Sequence, residues 1–188
     1  MDPVRDWREV VLPASVRKVV TMLAREERQL LHALGRTWTG AGAIVDGGCF
    51  LGGSTLALGT GLLANPRRVE KRGVIHSYDL FVADAHQAGS YLKKFGDYAP
   101  GDSVRPIFDR QTQDVAPCLQ VHEGDLRQFP WTGGPIEILF IDVSKTWELN
   151  DFINAEFFPA LIPGQSIVVQ LAGLDQAARV AAGPISMS

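Results

Sequence analysis

Residues 43–55, AIVDGGCFLGGST, constrain the fold more than any other part of the chain. A short apolar β-type run ends in the carboxylate of Asp46 and opens into a glycine-rich turn. It closes on Ser54 and Thr55, residue types that cap helices, ahead of an apolar helix over residues 56–63. Glycine admits a positive φ and close approach to a ligand, and the N–H groups of a helix start point into the crevice they border. A ligand of such a unit sits at the carboxyl end of the strand.

Three ligand readings compete for this stretch. The phosphate-cradling pattern G-x-x-x-x-G-K-[ST] fits residues 48–55 except at its lysine, where the chain has Ser54. Without that cation, and with Asp46 close by, a triphosphate is disfavoured. The dinucleotide pattern G-x-G-x-x-G is absent, because the glycines fall at 47, 48, 52 and 53, and a strand-end acid repels pyrophosphate. What remains is D-x-G-x-x-x-G, from Asp46 through Gly48 to Gly52. On these residues the sequence resembles class I S-adenosylmethionine-dependent methyltransferases, whose cofactor carries an ammonium and a sulfonium and no phosphate. The resemblance implies S-adenosyl-L-methionine as cofactor, with Asp46, Gly48, Gly52 and Ser54 in its binding loop. The same pattern also fits a strand–turn–helix that binds nothing.

At 188 residues and 46% hydrophobic composition, the chain has enough apolar material for one core, so a single domain over 1–188 is expected. A net charge of -3 gives no electrostatic footprint for nucleic acid or a membrane surface. No apolar run reaches the roughly 20 residues of a spanning helix, and residues 1–8 have no secretory pattern. Cys49 and Cys118 form no metal spacing. The expected setting is cytoplasmic.

Along residues 14–36, Val16, Val19, Val20, Leu23, Leu30, Leu31 and Leu34 fall at helical spacing, one broken helix or two short ones within a helical leader over 1–40. His32 lies among core leucines and reads as a satisfied or solvated histidine in preference to a catalytic one. The helix after the glycine-rich loop stops at Asn65-Pro66, and residues 74–78 form a second strand ending at Asp79. A right-handed βαβ unit places Asp79 beside Gly48. A carboxylate there accepts from ribose hydroxyls, and Leu80 and Phe81 offer apolar cover for a base. A strand-end aspartate that only caps a turn gives the same pattern.

Residues 82–103 have no clean period and read as a mobile lid on the substrate side, with Tyr91, Phe95 and Tyr98 either as candidate substrate contacts or as plain lid packing. Residues 104–115 suit a second crossover helix, with Pro106 in its first turn. A third strand over 119–122 leads into Glu123-Gly124-Asp125-Leu126. By the family resemblance, Asp125 lies by the adenine amino group, with Leu126 next to it. His122 faces the sheet layer.

The fourth strand, 136–141, is apolar nearly throughout, as suits a central parallel strand, and ends at Asp142. The sequence Asp142-Val143-Ser144-Lys145 has the D-x-x-K spacing seen in catechol-type O-methyltransferases. There the resemblance implies an acceptor site in which a lysine removes the hydroxyl proton; Lys145 is either that base or a solvated side chain. A lysine base needs burial or a nearby cation to lower its pKa. No carboxylate follows the fifth strand, 165–170, to complete an octahedral oxygen site, so no metal is expected. The Pro163-Gly164 turn before that strand is typical of the family.

These elements make a Rossmann-like, doubly wound parallel sheet in the order 3-2-1-4-5. Only 18 residues follow position 170 (188 − 170), so the family's usual C-terminal antiparallel strands are expected to be missing. Residues 171–182 read as one short helix in an atypical tail, 171–188. The fifth strand's edge would then be uncovered, closed by a second copy in a homodimer or left open in a shortened form. Methyl transfer to a hydroxyl of a small metabolite or sugar is the expected function. A non-catalytic cofactor-binding or assembly protein is the alternative, and the glycine spacing disfavours a nicotinamide-dependent oxidoreductase.

Overall fold

Hydrophobic runs too short for helices and flanked by glycine or acid become strands here, and in the computed structural model they pair in parallel. The structure describes residues 6–143, 146–171 and 179–181. The parallel strands are β1 Ala43–Gly47, β2 Ile75–Asp79, β3 Leu119–Glu123, β4 Ile136–Ile141 and β5 Ile167–Gln170. They lie in the order β3-β2-β1-β4-β5, as the sequence indicates. The helices are α1 Ala14–Lys18, α2 Arg25–Thr37, α3 Gly53–Leu63, α4 Ala85–Gly89, α5 Arg105–Thr112 and α6 Trp147–Glu156.

Strand β4 is buried at all six positions because both faces of the sheet are covered. Ile138 and Phe140 pack with Ile44, Leu58 and Leu62 under α2 and α3. Leu139 and Ile141, pointing the other way, pack with Ile153 and Phe157 at α6. The one charged residue of the strand, Glu137, accepts from the Thr39 N–H at 2.6 Å, the Thr39 hydroxyl at 2.9 Å and the Ala41 N–H at 2.9 Å, pinning the turn ahead of β1. Helices α2 and α3 touch backbone to backbone through Gly35 and Gly61, where a Cβ would fall 2.2 Å from the Leu58 carbonyl oxygen and 2.1 Å from that of His32. His32 itself is buried, its Nδ1 is 3.1 Å from the Thr60 hydroxyl, and desolvation pushes its pKa down.

The chain after β5 corrects the sequence reading. A sixth strand, β6 Arg179–Ala181, runs antiparallel to β5 with Val169 opposite Val180. Residues 179–181 are strand where the sequence reads as helix, and β5 is not an open edge; unpaired backbone groups on an edge strand recruit any extended segment that reaches them. Three residues are too few to show an alternating pattern, so the strand left no signal. Residues 172–178 and 182–188 of that tail lie outside the described residues.

Residues 82–103 also differ from an open lid. Hydrogen bonds from Ala83 N–H to Asp102 O, Gly101 N–H to Ala83 O and Val104 N–H to Phe81 O, each 2.9 Å, pinch its base shut. Inside, Ala83 and Leu92 are buried against Cys49, Leu51, Phe81 and Phe108, and Phe95 and Tyr98 pack on the same cluster. The segment is a compact loop filled by its own side chains. Among the described residues, no helix is long and apolar enough to cross a membrane, and no group of three or more His, Cys, Asp or Glu is arranged to hold a metal.

Candidate functional site

The connections reverse direction between β1 and β4, since β1 leads outward to β2 while β3 crosses back to β4. In such sheets a crevice opens beyond the carboxyl ends of the strands at that point. A cavity of about 500 Å³ lies there, within the range of small-molecule sites. Gly48 after β1, Asp79 and Leu80 after β2, and Gly124, Asp125 and Leu126 after β3 line one side. Val143 after β4 and Thr146, Glu148 and Leu149 at the start of α6 close the other. A shallower depression of about 680 Å³, against Trp131 and Pro135, has Glu156 as its single titratable lining residue.

Glycine at 48 is required twice over. Its φ is +89°, and a Cβ would fall 2.5 Å from the Val143 side chain. Its N–H donates to the Tyr78 carbonyl at 2.8 Å, which bends the loop back over β2. Asp79 fixes that bend: Oδ2 accepts from the Phe50 N–H and Oδ1 from the Phe81 N–H, both at 2.8 Å. Asp79 is also a lining residue of the cavity, so the same side chain anchors the loop and borders the ligand space.

Asp46 lies beneath this surface and does not line it. It is fully buried, and its Oδ2 accepts from Ser54 Oγ at 3.0 Å and Thr55 Oγ1 at 2.5 Å. Ser54 and Thr55 thus correct the expectation of a helix cap: α3 starts one turn earlier at a left-handed Gly52, and both hydroxyls turn inward to the carboxyl group. A buried acid without a cation draws nearby hydroxyls more strongly than helix N–H groups do. Desolvation lifts the Asp46 pKa to about 7, the Thr55 and Ser54 hydrogen bonds pull against it, and the charges of Asp142 and Asp79 add to the rise. Asp46 Oδ1 has no hydrogen-bond partner among the described residues. Gly52 sits against α5, where a Cβ would meet Thr112 at 2.5 Å and Phe108 at 3.0 Å. Asp142 ends β4 half-buried, its N–H donating to the Gly47 carbonyl at 2.8 Å; Lys145 lies outside the described residues.

Of the expected residues, the fold brings Gly48, Asp79, Leu80, Asp125 and Leu126 to one cavity and puts Asp46, Gly52 and Ser54 in the layer that supports it. It also adds residues the sequence did not reveal. Asp84 and Gln87 line the rim in a reciprocal cap, with Gln87 N–H to Asp84 Oδ1 at 2.7 Å and Asp84 N–H to Gln87 Oε1 at 3.0 Å. The D-x-x-Q spacing was the available signal. Arg127, which pairs with Asp125 at 2.6 Å, left no signal. That guanidinium and its hydrogen bonds hold the Asp125 carboxyl down at about 2. Four carboxylates (Asp79, Asp84, Asp125 and Glu148) against one guanidinium suit a cationic ligand and repel a polyphosphate.

Solved structures share this architecture. Rv0187 from MTB, described in a cofactor-bound crystal structure, superposes with a TM-score of 0.53 at 20% identity over 84% of this chain and 61% of that one. The O-methyltransferase NovP gives 0.56 at 16% identity over 81% and 67%. The calicheamicin methyltransferase CalS11 gives 0.50 at 17% identity over 89% and 74%. The chain has the class I methyltransferase fold. It spans less than two thirds of the length of Rv0187. No protein-family model matches the sequence, and a search of curated proteins found no match.

Proposed function

We propose that this protein binds S-adenosyl-L-methionine and transfers its methyl group to a hydroxyl of a small molecule. The observation that carries the reading is the carboxylate-rich cavity at the topological switch point, lined by Asp79, Asp84, Asp125 and Glu148. The donor set fits the group: the cavity-lining acids suit an ammonium and a sulfonium, and beneath them the buried Asp46 Oδ1 has no hydrogen-bond partner among the described residues. That NovP and CalS11 are methyltransferases, NovP by its description an O-methyltransferase, supports a hydroxyl acceptor.

In this reading Asp79 holds the ribose hydroxyls, Leu80 covers the base, Asp125 and Leu126 receive its amino edge, and Gly48 leaves room for the methionine part above Asp46. When bound, the cofactor supplies an electrophilic methyl on a sulfonium. The protein's share is position and proton transfer. Asp142 at the end of β4 orients the acceptor, and Lys145 takes its hydroxyl proton as the C–O bond forms and the C–S bond breaks.

Thermal unfolding with and without S-adenosylmethionine, or its demethylated product, tests the cofactor. At ~100 times the dissociation constant, ligand adds about 2.7 kcal/mol, roughly 5–10 °C for a domain of this size. Leu80→Arg is the control, because Leu80 is exposed on the cavity rim and a cation there repels the ligand without disturbing packing. Absence of a shift in the folded wild type would sink the reading. Lys145→Ala should then keep the shift and lose turnover against a panel of hydroxylated acceptors; binding without any turnover in the wild type would favour the non-catalytic alternative.

A further inference from the structure

Asp125 meets Arg127 in a geometry that nearly exhausts its hydrogen-bonding capacity. Oδ1 accepts from the Arg127 backbone N–H at 3.0 Å and from Nε at 3.0 Å. Oδ2 accepts from Nη2 at 2.6 Å and shares the Nε hydrogen at 3.1 Å. A carboxylate offers about four lone-pair sites, and these donors reach across all of them. A neutral amino group on a ligand must therefore displace a guanidinium to gain a full bond. Arg127 is also a cavity-lining residue, with the charge of Glu148 acting on it as well. Two of its five guanidinium N–H donors go to Asp125, which leaves donors for an acceptor on the ligand.

We infer that Arg127 sets the base specificity of this site: paired with Asp125, it blunts the preference for an amino-purine and admits an oxo-purine. A bare Asp125 carboxylate accepts from the amino group of adenine and repels the oxygen of hypoxanthine. The Asp125–Arg127 pair presents a largely occupied acceptor with a donor beside it, so the two bases are held more evenly. This rests on the proposed function, in which Asp125 faces the base. The backbone bond from Arg127 N–H to Asp125 survives any side-chain change, so the turn Leu126–Gln128 stays in place in the variants.

The test is titration calorimetry of S-adenosylhomocysteine and its deaminated form, S-inosylhomocysteine, against wild type, Arg127→Ala, Asp125→Asn and the double variant. Arg127→Ala should raise the adenine-to-hypoxanthine affinity ratio about two- to fivefold, the leverage of an exposed ion pair. In the Asp125→Asn background, where only the Arg127 donor to the oxo group remains to be lost, the same change should raise the ratio by less. A loss of stability alone moves both affinities together and does not alter the ratio. An unchanged or lowered ratio in a folded Arg127→Ala protein overturns this inference alone, while failure of the wild type to bind either ligand overturns it together with the methyl-transfer reading.

Discussion

The Phe50 N–H donates to Asp79 Oδ2 at 2.8 Å across the gap between the loop after β1 and the end of β2. Phe50 has φ +44°, and Phe81, whose N–H reaches the other Asp79 oxygen, has φ +51°. Both phenylalanines hold a left-handed backbone that L-residues avoid. One carboxylate thus holds two strained turns at the mouth of the cavity. Removing it leaves two half-buried donors and releases the strain. Asp79→Ala should cost about 2–3 kcal/mol in urea unfolding without any ligand present. A variant as stable as wild type would mean that the loop is held by its packing, and that Asp79 faces the ligand without anchoring anything.

Gly61 and His32 give a second, sharper test of packing. Alanine at a helical glycine gains up to about 1 kcal/mol in propensity. Here its Cβ would lie 2.1 Å from the His32 carbonyl oxygen and 3.0 Å from the Arg36 amide nitrogen, both backbone atoms that cannot swing away. Overpacking costs about 1–3 kcal/mol even where side chains adjust, so the steric term wins. Gly61→Ala should lower the unfolding free energy, read from the urea midpoint, by a net of about 1 kcal/mol or more. A raised midpoint would show that α2 and α3 slide apart without loss.

How far the sequence could reveal this arrangement depended on whether a feature was local. The stretch 43–55 carried strand, loop and helix together, and β4 was legible because burial on both faces removes every polar residue except Glu137. On the cavity wall, Asp79 followed from the βαβ unit and Asp125 from the family resemblance. What escaped was set by pairing at a distance. Ser54 and Thr55 look like caps until a buried Asp46 is placed beneath them. Strand β6 is three residues with no pattern, defined by what β5 offers. The compactness of residues 82–103 comes from Leu92 entering a cluster built by Phe81 and Phe108. Arg127 is two residues from its partner, a spacing that carries no helical or strand signal.

The Asp46 carboxyl makes stability depend on pH in an unusual direction. With its pKa raised to about 7, mainly by desolvation, the folded chain holds a proton there that the unfolded chain releases near 4. Folding therefore binds a proton between those values. The stability this gives is full below about pH 4 and is lost as pH climbs toward about 7, on the order of 4 kcal/mol in all. His76 opposes it: desolvation first, then the neighbouring His122, lowers its pKa to about 4, so acid favours the unfolded chain between the ordinary value of 6.5 and that point. His32 and His122, both lowered by desolvation, act in the same direction as His76, so wild type should gain stability between pH 5 and 6.5 and weaken between 6.5 and 8. Asp46→Asn keeps an oxygen for Ser54 and Thr55 and cannot ionise, so any cost of its buried amide is the same at every pH. Urea midpoints at pH 5, 6.5 and 8 should show the variant gaining on wild type as pH rises, with the His76 slope exposed below 6.5. A constant difference between the two proteins across that range would mean that Asp46 is ionised in the folded state throughout, and that its Oδ1 has found a partner the static structure does not hold.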